Sequence, residues 1–221
     1  MALLSHQNLR RVPGAAFVLL GVLAASAADG STREWRFNVT LDDKPIGTHR
    51  FLMRDSGQRR ELTSEARFNV RILFFDAYRY EHSARELWNG DCLERIDART
   101  AENGKRSAVM GELQAGSFRV IRENSIDDIG ACVQTFAYWN PLILKADRLL
   151  NPQTGEYVPV NVVPLGRESI AGYEQADRYR LVGKDASATE LQIELWYSLA
   201  GEWLALESRT PDGRRLRYSL E

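Results

Sequence analysis

The 221-residue chain carries 29 Lys+Arg against 30 Asp+Glu, a formal net charge of −1. The two signs are interspersed, so there is no basic footprint for nucleic acid, and the length suits one domain with a sizeable core or two small ones. Lysine occurs only at positions 44, 105, 145 and 184; the arginine bias would serve phosphate or carboxylate recognition, but codon composition explains it equally well.

The first stretch, MALLSHQNLRRVPGAAFVLLGVLAASAADG, reads as a targeting segment. Arg10 and Arg11 precede an apolar run from Ala15 to Ala25, which ends in the small-x-small tripeptide Ala25-Ser26-Ala27. That pattern predicts a signal peptide over residues 1–27, cleaved to start the mature chain near Ala28. The apolar run is too short for a comfortable permanent span, so no transmembrane segment is expected after cleavage. NLRRVPG is a poor twin-arginine signal, because no apolar pair follows the arginines directly. Export implies a periplasmic destination and an oxidising one. Cys92 and Cys132, the only two cysteines, are then expected to form a disulfide. The bridge would close a loop of about 40 residues and contribute up to ~4 kcal/mol in the chain-entropy model.

From residue 34 the apolar pattern has a period of two, the signature of half-buried strands. Trp35, Phe37, Val39 and Leu41 share one face of REWRFNVTL. DDKPIG makes a turn, with Gly47 marking a bulge. THRFLMRD returns, and ELTSEARFNVRI follows with Leu62, Ser64, Ala66, Phe68 and Val70 on one side. LFFDAYRYEHSARELW places Tyr78, Tyr80, His82, Ala84, Glu86 and Trp88 in one register. Asn89-Gly90 and Asn103-Gly104 are hairpin turns, and KRSAVMGEL and SFRVIRE pair across QAGS. At Asn124 the pattern stops, and NSIDDIGAC reads as a loop. TFAYWNPLIL then opens the one helical stretch, with Asn140 as cap and Pro141 at the first position. It predicts a short helix over about 141–149, stopped by Asn151-Pro152. Strands resume in YVPVNVVPLG, where Pro159 and Pro164 suit an edge. Four more runs follow, to RRLRYSL.

The expected fold is therefore all-β: a single curved antiparallel sheet or partial barrel of about ten or eleven strands. One domain spans 28–221, with a loop–helix insertion at about 125–152 as plug or lid. Several strands put large aromatics on one face, and such a face needs a cover. The helix supplies part of it, and a bound apolar ligand is the natural remainder.

Catalytic signals are sparse. The mature chain has two histidines, His49 and His82, both in predicted strands and neither in a metal-binding spacing. His82 follows Glu81, but adjacent strand residues point to opposite faces. Ser64, Ser83 and Ser208 have no local base, and no G-x-S-x-G, phosphate loop or dinucleotide fingerprint occurs. Glu168, Glu174 and Asp177 read as a polar strand face, and Asp127-Asp128 is too little for calcium. No metal site or cofactor is expected.

VTLDDKPIGTHRF, SEARFNVRILFFDAYRYEHSARELW, GDCLERIDART, FAYWNP, LLNPQTGE and WLALESRTPDGRRLRY together resemble a group of exported Gram-negative proteins known as a domain of unknown function. The resemblance implies export and transfers no catalytic residue. More loosely, the opening V-x-L-x-x-x-P-I-G is similar to periplasmic half-barrel proteins of the lipoprotein-carrier type, which shelter lipid in a concave sheet. The leading expectation is a non-enzymatic binder of an apolar or amphipathic, lipid-like ligand. Phe136, Tyr138, Trp139 and Leu142 would line or gate its mouth, and Phe74, Phe75, Tyr78 and Tyr80 would contribute. One alternative is an envelope hydrolase or isomerase with His49 or His82 as general base. Another is a structural partner in an envelope complex.

Overall fold

A computed structural model describes residues 30–72, 75–170 and 172–221, without the side chains of 71–76. The leader over 1–27, Phe74 and the Phe75 side chain lie outside the described residues. In chain order the strands are β1 (Ser31–Leu41), β2 (Lys44–Asp55), β3 (Arg59–Ile72), β4 (Phe75–Asn89), β5 (Cys92–Glu102), β6 (Lys105–Gln114), β7 (Ser117–Arg122) and β8 (Ser125–Ile129). A 3-10 turn (Pro141–Lys145) follows, then β9 (Arg148–Leu150), β10 (Tyr157–Ile170), β11 (Tyr173–Lys184), β12 (Glu190–Ser198), β13 (Trp203–Arg209) and β14 (Arg215–Leu220).

All fourteen strands join one curved antiparallel sheet in the order β8-β7-β6-β5-β4-β3-β2-β1-β14-β13-β12-β11-β10-β9. The first and last strands pair in its middle, Val39 opposite Tyr218. Two meanders run outward from that seam, and the chain between β8 and β9 links the two edges. Hairpin chemistry sets the registers. Asn103 and Gly104 both adopt positive φ, as do Asp42 and Asp43, the conformation a two-residue turn needs to match strand twist. At Gly47 the register shifts, and a Cβ there would lie 1.9 Å from the Arg67 carbonyl oxygen. Only glycine fits that bulge.

The inward alternate positions build the core. Phe37 lies 4.2 Å, centroid to centroid, from Trp203, with Phe51 against both. Further round, Leu62, Ile96, Val109, Phe118, Leu181 and Leu195 are buried. The segment after β8 crosses the inside of the curl, burying Val133, Thr135, Ala137 and Trp139 in alternation. Backbone bonds hold it from both sides: Leu93 N–H of β5 donates to the Val133 carbonyl, and Leu150 N–H of β9 donates to that of Gln134. Cys92 and Cys132 are bonded, their Cα atoms 4.8 Å apart, beside the first of these.

Three expectations need correction. Among the described residues the strands number fourteen, not ten or eleven. NSIDDIGAC is not all loop, because 125–129 forms edge strand β8. Ile126 is exposed, while Asp127 and Asp128 point back to Arg122 and Arg119 on β7, so an edge with no buried face shows no apolar alternation. The helix is only a 3-10 turn over Pro141–Lys145. Asn140 does cap it, its side chain accepting the Leu142 N–H at 3.2 Å. Beyond Ala146 the backbone turns extended, so that Leu149 and Leu150 are fully buried while pairing with Val158 and Tyr157.

Candidate functional site

A cavity of about 230 Å³ lies inside the curl, between the inner face of the sheet and the crossing segment. Asn151, Pro152 and Gln153, just after β9, also line it, and Gln153 is exposed. The Ser107 hydroxyl, in β6, donates to the Gln153 carbonyl at 3.4 Å, so that loop is tied to the opposite arm of the sheet. Phe136, Ala137 and Tyr138 form one wall. Leu191, Ile193, Leu206 and Leu216, from β12, β13 and β14, add an apolar surface.

The third wall is polar, and register builds it. His49 of β2 faces Ala66 of β3, which faces His82 of β4, which faces Thr100 of β5. Two strand spacings separate the imidazoles, so their Cα atoms stand roughly 10 Å apart, and the small Ala66 leaves space between them. One step along, Ser64 faces Phe51 and Ala84, which makes it the diagonal neighbour of both histidines. Its Oγ shares a 2.7 Å hydrogen bond with His49 Nε2. The other ring nitrogen, Nδ1, lies 3.3 Å from the Tyr218 hydroxyl. His82 Nδ1 bonds Thr100 Oγ1 at 2.9 Å, and no hydrogen bond of its Nε2 is recorded among the described residues.

Two residues further along β4, past Ala84, Glu86 also faces the cavity. It is 3% exposed, and the Trp88 indole N–H donates to it at 3.0 Å. Burial pushes its carboxyl up to about 7, the indole N–H offsetting only part of the desolvation. Burial also holds both imidazoles below neutrality. His49 falls to about 3, with His82 adding a smaller repulsive contribution, and His82 falls to about 4. His49 is only half-buried by surface area, but the open part of its ring faces the cavity. At neutral pH both are uncharged, and among the described residues no Lys, Arg or Asp lines the space.

Of the four residues expected at a ligand mouth, Phe136 and Tyr138 line the cavity and Trp139 and Leu142 do not. Trp139 packs edge-on against Trp88 at 5.5 Å, under the Arg60 guanidinium, and Leu142 sits half-buried in the 3-10 turn. Tyr80 lines the cavity and stacks on Phe68 at 5.2 Å; Tyr78 stacks behind it. Ser64 has no base near it in sequence, and the imidazole beside it comes from the adjacent strand. Glu86 was legible as an acid in the same alternate register as Tyr80 and Trp88, whereas the Ser64–His49 and His49–Tyr218 pairings depend on strand register. Glu168, Glu174 and Asp177 are not brought together as a site: Glu168 holds Arg178 on the outer face that also carries Trp196, while Asp177 holds Arg167 on the opposite face of the sheet. Among the described residues no three His, Cys, Asp or Glu side chains converge as a metal site would require. No helix among them is long and apolar enough to cross a membrane.

Residues 37–221 match the family described as "Domain of unknown function (DUF6134)". The fold is similar to a crystal structure of a beta-barrel-like protein of another domain of unknown function, DUF1849, from Brucella abortus. The TM-score is 0.65 at 12% identity, over 85% of this chain and 94% of that one. At that identity the likeness concerns the fold alone. In sequence, 114 residues are 27% identical to a probable phospho-2-dehydro-3-deoxyheptonate aldolase of Pseudomonas fluorescens. The match takes in 51% of this chain and only 28% of that protein, and it carries no activity across.

Proposed function

The chain belongs to the DUF6134 family, whose description assigns no activity, and from that premise we propose that it is a binding protein for a small amphipathic ligand held inside the curled sheet. One observation carries the reading: an interior cavity of about 230 Å³ with an apolar wall on one side and the imidazoles and hydroxyls of His49, His82, Ser64 and Tyr218 on the other. Ligand pockets for drug-sized molecules run from ~300 Å³ upward. The occupant is therefore a small molecule or the short end of a lipid, not a whole phospholipid. Native mass spectrometry of gently purified protein, followed by organic extraction, tests this. The expected result is a bound mass released by extraction. Protein that is empty as isolated and takes up no added amphiphile would overturn it.

Export is part of the same proposal, supported by the leader pattern over residues 1–27 and by a cysteine pair at bonding distance. Mass spectrometry of the protein from its native host should find a mature start near Ala28; an intact leader would refute it.

A hydrolase reading has one observation in its favour, the 2.7 Å contact between Ser64 Oγ and His49 Nε2. A general base works best with a pKa near the operating pH, and burial takes His49 to about 3. Short-chain ester hydrolysis lost in Ser64→Ala would establish it; no turnover above buffer leaves binding as the function.

A further inference from the structure

We infer that the cavity takes an uncharged ligand, with a carbonyl or hydroxyl head held beside Ser64 and His82 and a body about the size of a benzene ring. The inference rests on the binding reading above and names the ligand class. Every hydroxyl offers one donor and two acceptor positions. Because Ser64 makes its recorded side-chain bond to His49 Nε2, its hydroxyl keeps capacity for a ligand whichever partner donates. If Nε2 carries the proton, Ser64 O–H is free to donate to a carbonyl; if not, the Ser64 lone pairs are free to accept from a hydroxyl. His82 fixes its Nδ1 on Thr100, which leaves Nε2 for the same head. The diagonal register puts these two groups on neighbouring strands of one wall.

Charge sets the other half of the inference. A buried ion without a counter-charge bears most of its desolvation cost. Among the described residues the cavity lining holds no Lys or Arg to receive an anion. The one carboxyl among its described lining residues, Glu86, is buried and already accepts from the Trp88 indole, so an ammonium would have to draw its counter-charge from a group whose ionisation burial disfavours. Size follows from volume. An apolar site of about 150 Å³ holds benzene, so a cavity of about 230 Å³ has room for a ring plus a head of about three heavy atoms. Leu191, Ile193, Leu206 and Leu216 supply the surface for the ring.

The test is a matched set of probes titrated by ligand-observed NMR: acetophenone, benzyl alcohol, ethylbenzene, benzoate and benzylammonium. Acetophenone or benzyl alcohol should bind at least tenfold more tightly than either ion, and several-fold more tightly than ethylbenzene. Ser64→Ala should remove the advantage over ethylbenzene while ethylbenzene itself still binds, which shows that the variant is folded. Benzoate or benzylammonium binding as tightly as acetophenone would overturn the inference. So would ethylbenzene matching the polar probes in wild-type protein. In both cases the binding reading survives; if no probe binds, ethylbenzene included, both fall together.

Discussion

Glu86 and Glu194 are the same residue type, both nearly buried in mid-strand, at 3% and 8% exposure, yet they titrate in opposite directions. Glu86 points into the cavity, where no cation lines the wall, and desolvation pushes it up to about 7. Glu194 points outward. Burial would raise it too, but Arg178 and Arg180 both donate to its oxygens and bring it below the usual carboxylate range. The Trp196 indole N–H, nearby on the same face, donates to Glu168 at 2.7 Å. A sheet this curled separates two kinds of polar chemistry. On the convex side, partly exposed arginines neutralise acids at modest cost, because water still reaches them. In the cavity wall on the concave side ions are expensive, and imidazoles and hydroxyls satisfy one another as neutral groups.

The largest effect that tests this division is the pH dependence of stability. His49 and His82 bind a proton far less readily folded than unfolded, where their value is 6.5. Their contribution is fully present above pH 6.5 and is lost as pH falls towards about 4 for His82 and about 3 for His49. Glu86 works the other way: its folded value is raised from 4.5, so its contribution is present below pH 4.5 and lost as pH rises through 7. Each group changes stability by about 1.4 kcal/mol per pH unit within its window. Between pH 6.5 and 4.5 two histidines oppose one glutamate, and the wild type should lose about 3 kcal/mol. In Glu86→Gln the opposition is gone, and the loss should approach about 5 kcal/mol. Urea unfolding at half-unit pH steps measures both; equal slopes would mean that Glu86 is not a buried neutral acid.

At pH 8 the same substitution should have opposite signs on the two faces. Glu86→Gln removes an ion from a site without a cation and should stabilise by about 1–2 kcal/mol. Glu194→Gln leaves two guanidiniums without their shared counter-charge and should cost about 1–2 kcal/mol, less than a fully buried pair because both arginines remain partly exposed. If both variants destabilise, the interior carboxyl has a cationic partner after all. Within the cavity wall, Ser64→Ala should cost about 1 kcal/mol by removing the hydrogen-bond partner of His49 Nε2.

How much of this was legible in the sequence depends on whether a feature lives within one strand or between strands. Alternation along β4 already put Tyr78, Tyr80, His82, Glu86 and Trp88 on one side, and the structure keeps them there. The turns at Asn89-Gly90 and Asn103-Gly104 follow from local backbone chemistry. The helix over 141–149 was misjudged because Leu149 and Leu150 fit a helical stripe and a buried strand equally well; the backbone of β10 decided between them. Trp139 shows the limit for the candidate site. Its aromatic neighbours made it look like a ligand wall, but only the placement of Trp88 shows that the ring is spent on packing. Ser64 and His49 are fifteen residues apart, and no local pattern marks them as partners until β2 and β3 are set in register.

The smallest effect is expected at the sheet edge, and it separates burial from ion pairing as the source of the Glu194 result. Arg119 of β7 donates to both oxygens of Asp128 of β8, at 2.8 and 2.9 Å. This is a bidentate pair of good geometry, and it holds the Asp128 carboxyl below its ordinary value through the Arg119 hydrogen bonds. Both side chains are more than two-fifths exposed, so water and salt screen the attraction while two side chains are held in one geometry. Asp128→Asn should therefore leave the urea midpoint unchanged within error at both low salt and 1 M NaCl. If burial decides the value of the outward ion pairs, Glu194→Gln will shift the midpoint and Asp128→Asn will not. Equal shifts from the two would mean that hydrogen-bond geometry alone sets the value of these pairs, and the contrast between the two buried glutamates would then reduce to the presence or absence of arginine.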